Sequence, residues 1–444
     1  MTRWLASALV LAISSHIVAA TDCSSDSQCP EDSPCCSQYG VCGTGAYCLG
    51  GCDPLSSYSL DSCAPAPVCQ NKTITFENND GLISNEKYLG NASVADFVYS
   101  GEPLNYNDQV LLTMSENSSG TLLATTTYIW YGKTTVKMKS SAGQGVVTAF
   151  ILLSDVKDEI DYEFVGYNLS GVQTNYYFQG ILDYDKGGNT SVSGGNTETT
   201  SHTYEFDWTP DTLTWSVDGT SVRTLDRSDT WNSTFNRYSY PQTPSRLQLS
   251  IWPAGSNDNA EGTVAWAGGY IDWSSSYMTN NYYYAAVESV TIECYDPPSG
   301  ANVSGSKSYI YTNSDGLNTS VAITDDNTIL SSFEATGLNE TAGASASGSS
   351  ASATSVPGQS GSGTGSNGQR GGSSSSSSSG SGTSSSASSA TSGFVQGGGT
   401  DSGSSSSGAS RSFGGGLGVI GYERKSLIGS FLTVFSVIAF CLVL

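Results

Sequence analysis

The 444-residue chain carries 17 Lys and Arg against 40 Asp and Glu, a formal net charge of −23, which excludes nucleic acid and anionic membrane surfaces as electrostatic partners. Charged residues are only 13%, whereas aromatics reach 10%, a balance suited to neutral sugars, which are held by ring faces and hydrogen bonds. There are two His, and His16 falls in a leader, so a His-based zinc site or serine triad is not expected; no cofactor or metal ligand set is assigned, and the sequence is silent on calcium.

Residues 1–20 read as a secretory signal: Arg3 supplies the positive charge, 5–13 the apolar run, and Val18-Ala19-Ala20 a small-residue cleavage site. A permanent membrane anchor is the weaker reading, because the run is short and interrupted by Ser14, Ser15 and His16. Cysteines follow at 23, 29, 35, 36, 42, 48 and 52. So dense a set in a short secreted stretch is a disulfide scaffold, too small to hold itself by an apolar core. With Cys441 set aside in an apolar tail, Cys63, Cys69 and Cys294 bring the total to ten, an even number for an oxidising compartment.

The run Cys35-Cys36-Ser37-Gln38-Tyr39-Gly40-Val41-Cys42-Gly43, closed by Ala46-Tyr47-Cys48, resembles the hevein-like, family 18 chitin-binding modules. The resemblance implies the pairs Cys23–Cys36, Cys29–Cys42 and Cys35–Cys48. Cys52–Cys63 and Cys69–Cys294 would complete the set, the last joining the two ends of the next domain. It also implies that Ser37, Tyr39 and Tyr47 contact N-acetylglucosamine units. Val41 stands where the family usually carries another aromatic, so one stacking platform is missing. The alternative is a stapled knob without a ligand. Residues 21–68 are assigned to this module and its linker.

From 69 to 296 the composition is that of a globular all-β domain. The runs 120–129, 134–139, 145–153, 160–165, 203–208, 212–217, 246–251 and 286–293 are β-rich and broken by Gly, Asn, Asp or Pro. Val217-Asp218-Gly219-Thr220 signals a hairpin, and no long helical pattern is present. About 230 residues of antiparallel strand predict a two-sheet jelly-roll sandwich. Within it, Asp158-Glu159-Ile160-Asp161-Tyr162-Glu163-Phe164 alternates carboxylates with apolar residues. Along a strand, Glu159, Asp161 and Glu163 share one face. Gathering like charges is costly unless the face lines a site, and glycoside hydrolysis uses two such carboxyls. Four residues of strand separate the Glu Cα atoms by about 13 Å. Inward lean would bring the carboxyls to roughly 5 Å, the separation of retaining enzymes. A helix would also pair i with i+4, but the β-rich run from Gly145 to Leu153 and the following Gly166 favour a strand.

This stretch resembles the E-I-D-x-E signature of glycoside hydrolase family 16. His202-Thr203-Tyr204-Glu205-Phe206-Asp207-Trp208-Thr209-Pro210-Asp211, then Leu213-Thr214-Trp215-Ser216-Val217-Asp218-Gly219, resembles a second stretch of the same family. Tyr240-Pro241-Gln242-Thr243-Pro244-Ser245-Arg246, Ile251-Trp252-Pro253-Ala254-Gly255 and Glu261-Gly262-Thr263-Val264-Ala265-Trp266-Ala267-Gly268-Gly269 are similar to its fungal Crh branch, as is Cys52-Asp53-Pro54-Leu55 with Cys63. The resemblance covers roughly 23–296 and implies a concanavalin-like sandwich. The implied activity is transfer of chitin chains onto wall glucans, with some chitin hydrolysis. The alternatives are a β-glucan hydrolase with the same dyad, and a non-catalytic wall lectin.

By family position Glu159 is the nucleophile and Glu163 the general acid/base, with Asp161 assisting between them; Asp158 points to the other face and Asp155 lies outside the motif. Trp252 and Thr263 match positions of the donor cleft, and Glu163 also meets substrate. Arg246 and Arg237 are open to two readings, sugar hydrogen bonding or surface charge. Trp208, Trp215, Trp266 and Trp273 are sugar platforms or core, with core preferred for Trp215. The implied partners are a chitin donor and a β-glucan or chitin acceptor.

Residues 297–415 turn to Ser, Gly, Thr and Ala and are expected to form an extended, O-glycosylated stalk. N-glycosylation sequons at Asn71, Asn91, Asn117, Asn168, Asn189, Asn232, Asn302, Asn318 and Asn339 suit secretion. Residues 416–444 read as a GPI-anchor signal, with Gly414 as the attachment site and an apolar tail from Leu427; a transmembrane helix is the alternative. The expected location is the cell wall or outer membrane face, reached only through a lipid anchor.

Overall fold

The computed structural model describes residues 21–344, Ala353 and residues 355–358. The leader, nearly all of the stalk beyond 344, Gly414 and the 416–444 signal lie outside the described residues.

Two eight-stranded sheets stack face to face. The cleft sheet holds β1 (Leu82–Ser84), β2 (Phe97–Ser100), β3 (Thr121–Thr125), β4 (Val147–Ser154), β5 (Glu159–Val165), β6 (Gly171–Tyr177), β7 (Gly188–Ser191) and β8 (Ser245–Trp252). Their spatial order is β7-β6-β5-β4-β8-β3-β2-β1. The second sheet runs Thr220–Asp226, Thr212–Val217, His202–Trp208, Gly132–Lys139, Tyr282–Cys294, Gln109–Ser115 and Pro103–Tyr106, with Lys72–Thr75 also paired to Tyr282–Cys294. The only α-helix among the described residues is α1 (Glu261–Trp266). This is the jelly-roll sandwich that the β-rich runs predict.

Strand alternation decides what each face does. Phe150, Leu152, Tyr162, Phe164 and Leu249 of the cleft sheet point inward, against Tyr204, Phe206 and Trp215 of the second sheet. The ring centroids of Phe150 and Phe206 lie 4.4 Å apart and those of Tyr162 and Phe206 4.9 Å. Each such side chain contributes about 1.5–3 kcal/mol on burial. Trp208 and Trp215 are core residues, fully buried. Five disulfides form among the described residues: Cys23–Cys36, Cys29–Cys42, Cys35–Cys48, Cys52–Cys63 and Cys69–Cys294. Cys69–Cys294 spans 225 residues and ties the two ends of the sandwich together.

Two expectations are corrected. A structureless stalk from 297 onward does not hold, because residues 297–344 are folded. Ser308–Tyr311 pairs with Ala66–Pro67 and with Val321–Thr324. Tyr309, Val321 and Ile323 join the main core, so this stretch still has apolar residues to bury despite its average composition. The disulfide-rich segment is also not a separate module on a tether. Val41, Tyr47 and Leu49 share an apolar cluster with Tyr88, Leu330 and Ala335. Gly45 N–H donates to Ala335 O at 2.8 Å, and Thr44 Oγ1 donates to Phe333 O at 3.0 Å.

Candidate active site

Directly paired residues of neighbouring strands point to the same face of a sheet. On β5, Glu159, Asp161 and Glu163 lie opposite Leu153, Ile151 and Ala149 of β4, and opposite Tyr177, Asn175 and Gln173 of β6. Leu153, Ile151, Ala149 and Val147 in turn face Arg246, Gln248, Ser250 and Trp252 of β8. Ala124 and Leu122 of β3 continue the row. The outward face of the cleft sheet therefore has an aliphatic floor, Ala149, Ile151 and Leu153, which forms its own small cluster apart from the main core. The carboxylate strand flanks it on one side, and an Arg, a Gln, a Ser and a Trp on the other.

The three carboxyls sit where water is scarce. Glu159 and Asp161 are buried, while Glu163 is partly exposed. Burial raises all three, pushing Asp161 up to about 7 and both glutamates well above the usual carboxylate range; the Asp161 charge adds to the rise on each Glu. Glu159 and Asp161 also hydrogen-bond each other. Two facing carboxyls can do so only by sharing a proton, so the pair titrates as a unit. The second sheet holds the strand from behind. Trp215 Nε1 donates to Asp161 O at 3.0 Å, and Tyr162 Oη donates to Ser216 O at 2.9 Å. Arg223, its guanidinium 4.6 Å from the Trp215 ring, donates to Thr174 O of β6 at 2.9 Å.

Asp158, set aside in the sequence reading, is a brace. Its fully buried carboxylate accepts from Gln179 N at 3.0 Å, Gln242 N at 2.9 Å and Thr243 Oγ1 at 2.7 Å. Asp155 is likewise buried and accepts from Tyr128 Oη at 2.7 Å and from Gly51 N at 3.0 Å. Burial pushes each up to about 6.

Among the sugar-contact candidates, Trp252 stacks with Trp266 at a centroid distance of 6.0 Å, and Trp266 Nε1 donates to Gln173 Oε1 at 2.8 Å. Thr263 is buried on α1, three residues before Trp266. Trp273 lies partly buried against the main core. Arg246 is not a surface charge, since it is buried on the cleft sheet and donates from Nη2 to Gln38 Oε1 at 3.1 Å. Arg237 stands on a separate hairpin with Trp231–Asn232, off the cleft sheet, its Nε donating to Phe235 O at 3.4 Å.

The hevein-like contacts are not presented as expected. Ser37 is buried, and its hydroxyl accepts from Val41 N at 3.3 Å. Tyr47 is buried, with its hydroxyl 2.7 Å from Ser355 Oγ. Tyr39 packs against the cluster that contains Leu122 and Trp252, and burial pushes its phenol up to about 12.

Gln38, Gln173, Asn175 and Gln248 were missed from sequence. The last three were findable, because Gln173, Asn175 and Tyr177 alternate with Val172, Thr174 and Tyr176, and Arg246, Gln248 and Ser250 alternate with Leu247, Leu249 and Ile251.

Residues 91–268 match the family described as Glycosyl hydrolases family 16. The chain is 60% identical over 350 residues to Crh-like protein 2 of Aspergillus fumigatus, covering 77% of this chain and 79% of that one. It is 47% identical over 337 residues to Congo red hypersensitive protein 2 of Saccharomyces cerevisiae, covering 75% and 72%. A solved structure titled Crh5 transglycosylase in complex with NAG shares 31% identity over 61% of this chain and 98% of its own, with a TM-score of 0.49. At 60% identity over 79% of a Crh-like protein, the chain belongs to the Crh-like proteins of glycosyl hydrolases family 16, a glycosidase or transglycosylase that works on a glycan donor and an acceptor.

Proposed function

We propose that the protein is a retaining transglycosylase of the fungal cell wall that cleaves chitin and transfers the fragment to β-glucan. The observation that carries this reading is the single row Glu159, Asp161, Glu163 on the outward face of β5, with Glu163 partly exposed and its hold on a proton strengthened by burial and by the Asp161 charge. Glu159 attacks the anomeric carbon as the glycosidic C–O bond breaks, and Glu163 gives its proton to the departing oxygen. A glycosyl ester on Glu159 results. Glu163, now a carboxylate, takes the proton of an acceptor hydroxyl as that oxygen bonds to the anomeric carbon and the ester breaks. Water as acceptor gives hydrolysis; a glucan hydroxyl gives a cross-link. Asp161 shares a proton with Glu159 and releases the nucleophile as the ester forms.

The test is incubation of the secreted protein with chitin oligosaccharides and labelled β-glucan oligosaccharides. Label moving into a longer, mixed product supports the reading. Glucan shortening with no mixed product would make the protein a β-glucan hydrolase using the same dyad, and sugar retention without any bond cleavage would make it a lectin.

The location follows the same reading. Five disulfides suit an oxidising compartment, and the 416–444 signal would leave a lipid anchor at Gly414. Release from membranes by a phosphatidylinositol-specific phospholipase tests the anchor; recovery of the intact apolar tail on the cell-bound protein overturns it.

A further inference from the structure

The disulfide-rich segment is docked on the cleft face itself. Its Gln38 reaches the row of residues two strands from the carboxylates. Gln38 Oε1 accepts from Arg246 Nη2 at 3.1 Å and from Gln248 Nε2 at 3.3 Å. Gln38 O accepts from Lys157 Nζ at 3.0 Å. Lys157 sits at positive φ in the tight turn between β4 and β5, so the turn that launches the carboxylate strand also grips the segment. Gly51 N–H lies 3.1 Å from Tyr128 Oη and 3.0 Å from Asp155 Oδ1. The approach needs glycine: a Cβ at Gly50 would overlap the Arg246 guanidinium, and one at Gly51 would overlap Gln38 Oε1. Tyr39 extends the contact onto the cluster of Leu122 and Trp252.

On the same face, Arg246 Nε, Gln248 Oε1 and Trp252 Nε1 are buried without a hydrogen-bond partner. Unmet polar atoms in such a row are costly and mark where a polar ligand belongs. Gln248 faces Ile151, which faces Asp161, so two strand spacings, about 10 Å, separate β8 from the carboxylate strand. A sugar chain crossing the strands from the dyad meets Gln38 after a short run.

We propose that Gln38 and Tyr39 are specificity-determining residues that close the β8 side of the catalytic cleft and set how many sugar units bind between the scissile bond and that wall. This rests on the proposed glycan cleavage, but not on the choice of sugar. The wall admits a short chain end on that side and rejects a polymer that runs through. The hevein-like face of the segment is thus spent on shaping the cleft rather than on binding an independent chitin surface.

The test uses the full-length secreted protein with end-labelled N-acetylglucosamine oligosaccharides and, in parallel, end-labelled β-glucan oligosaccharides of increasing length. Which bond is cut, and kcat and KM at each length, are measured. The wild-type protein is expected to cut at a fixed distance from one chain end and to gain nothing from further length on that side. In the double variant Gln38→Ala, Tyr39→Ala the cut should move inward. Its kcat/KM for the longest oligosaccharides relative to the shortest cleaved one should rise about tenfold, equal to about 1.4 kcal/mol. Gln38→Glu, which keeps side-chain length and a partner for Arg246, should retain the wild-type cutting position. An unchanged position and length profile in the folded double variant overturns the inference. If only the glucan series is cleaved, the chitin assignment fails while the wall is still judged on the glucan lengths.

Discussion

The indole of Trp215 donates to the main-chain oxygen of Asp161 at 3.0 Å, so a fully buried residue of the second sheet holds the middle of the carboxylate strand from behind. Glu159 and Glu163 lie two residues to either side. Trp215→Phe keeps the aromatic bulk and removes this one donor, leaving a buried carbonyl oxygen unmet at a cost of about 1–3 kcal/mol. The expected result is a lower unfolding midpoint together with a kcat drop of about tenfold or more, because small displacements of reacting groups are expensive. KM should change little. A stability loss with kcat intact would mean that the bond serves the core alone.

Glu159→Gln and Glu163→Gln keep side-chain shape while removing the nucleophile and the proton donor in turn. Each is expected to lower turnover by at least about 100-fold, the lower end of one acid/base contribution, with the fold retained. Asp161→Asn should lower it less and shift the acid limb of the pH profile, since Asn cannot share a proton with Glu159. The check is steady-state kinetics on an unactivated oligosaccharide. Near-normal turnover by the Glu163→Gln protein would remove Glu163 from the proposed role.

The strand pattern was legible because alternation is local: in 159–164 each carboxylate is followed by an apolar residue, and the sheet does with that what period two requires. The jelly roll followed from many such runs. The docking of Gln38 was not legible. It joins polar residues 208 positions apart in sequence, and no periodic signal links a Gln in a cysteine-rich loop to an Arg on a distant strand. Residues 297–344 were misjudged for a different reason. Their average is rich in small polar residues, yet Tyr309, Val321, Ile323 and Leu330 are enough to anchor them. Composition averaged over a long window hides a few well-placed apolar side chains.

The buried acids predict a pH dependence of stability. Asp155 and Asp158 are pushed up to about 6 and Asp161 to about 7 by burial, and Glu159 and Glu163 are raised well above their usual range. Unfolded, such groups ionise near their ordinary values of about 4. The folded chain therefore binds more protons between the two ranges, and its stability falls as pH rises. The contribution is full below about 4 and is lost as pH climbs through about 6 and then about 7. Asp218 works the other way: despite some burial, hydrogen bonds from Thr203 N–H and His202 hold it low, so it matters only at more acidic pH. The unfolding midpoint should be higher at pH 5 than at pH 7.5, measured by scanning calorimetry at constant ionic strength. A midpoint that rises over this window would show that these carboxyls are not protonated in the folded protein.

The folded stretch 297–344 sets where the enzyme can be cut. A chain ending at 296 retains both eight-stranded sheets but loses Ser308–Tyr311 and its pairing with Ala66–Pro67. It also loses Tyr309, Val321, Ile323, Leu330 and Ala335, all buried. At about 1.5–3 kcal/mol for each of the larger side chains, that loss rivals the 5–15 kcal/mol or so that holds a typical domain folded. Leu49, Tyr47 and Val41, which pack with Leu330 and Ala335, would be left facing water. The consequence would reach the cleft, because these residues belong to the segment that carries Gln38. The 21–296 fragment should therefore be recovered mainly as aggregate, whereas 21–344 should be monodisperse by size-exclusion chromatography and unfold in one cooperative step. Equal yield and equal unfolding midpoints for the two fragments would mean that 297–344 decorates the sandwich without supporting it.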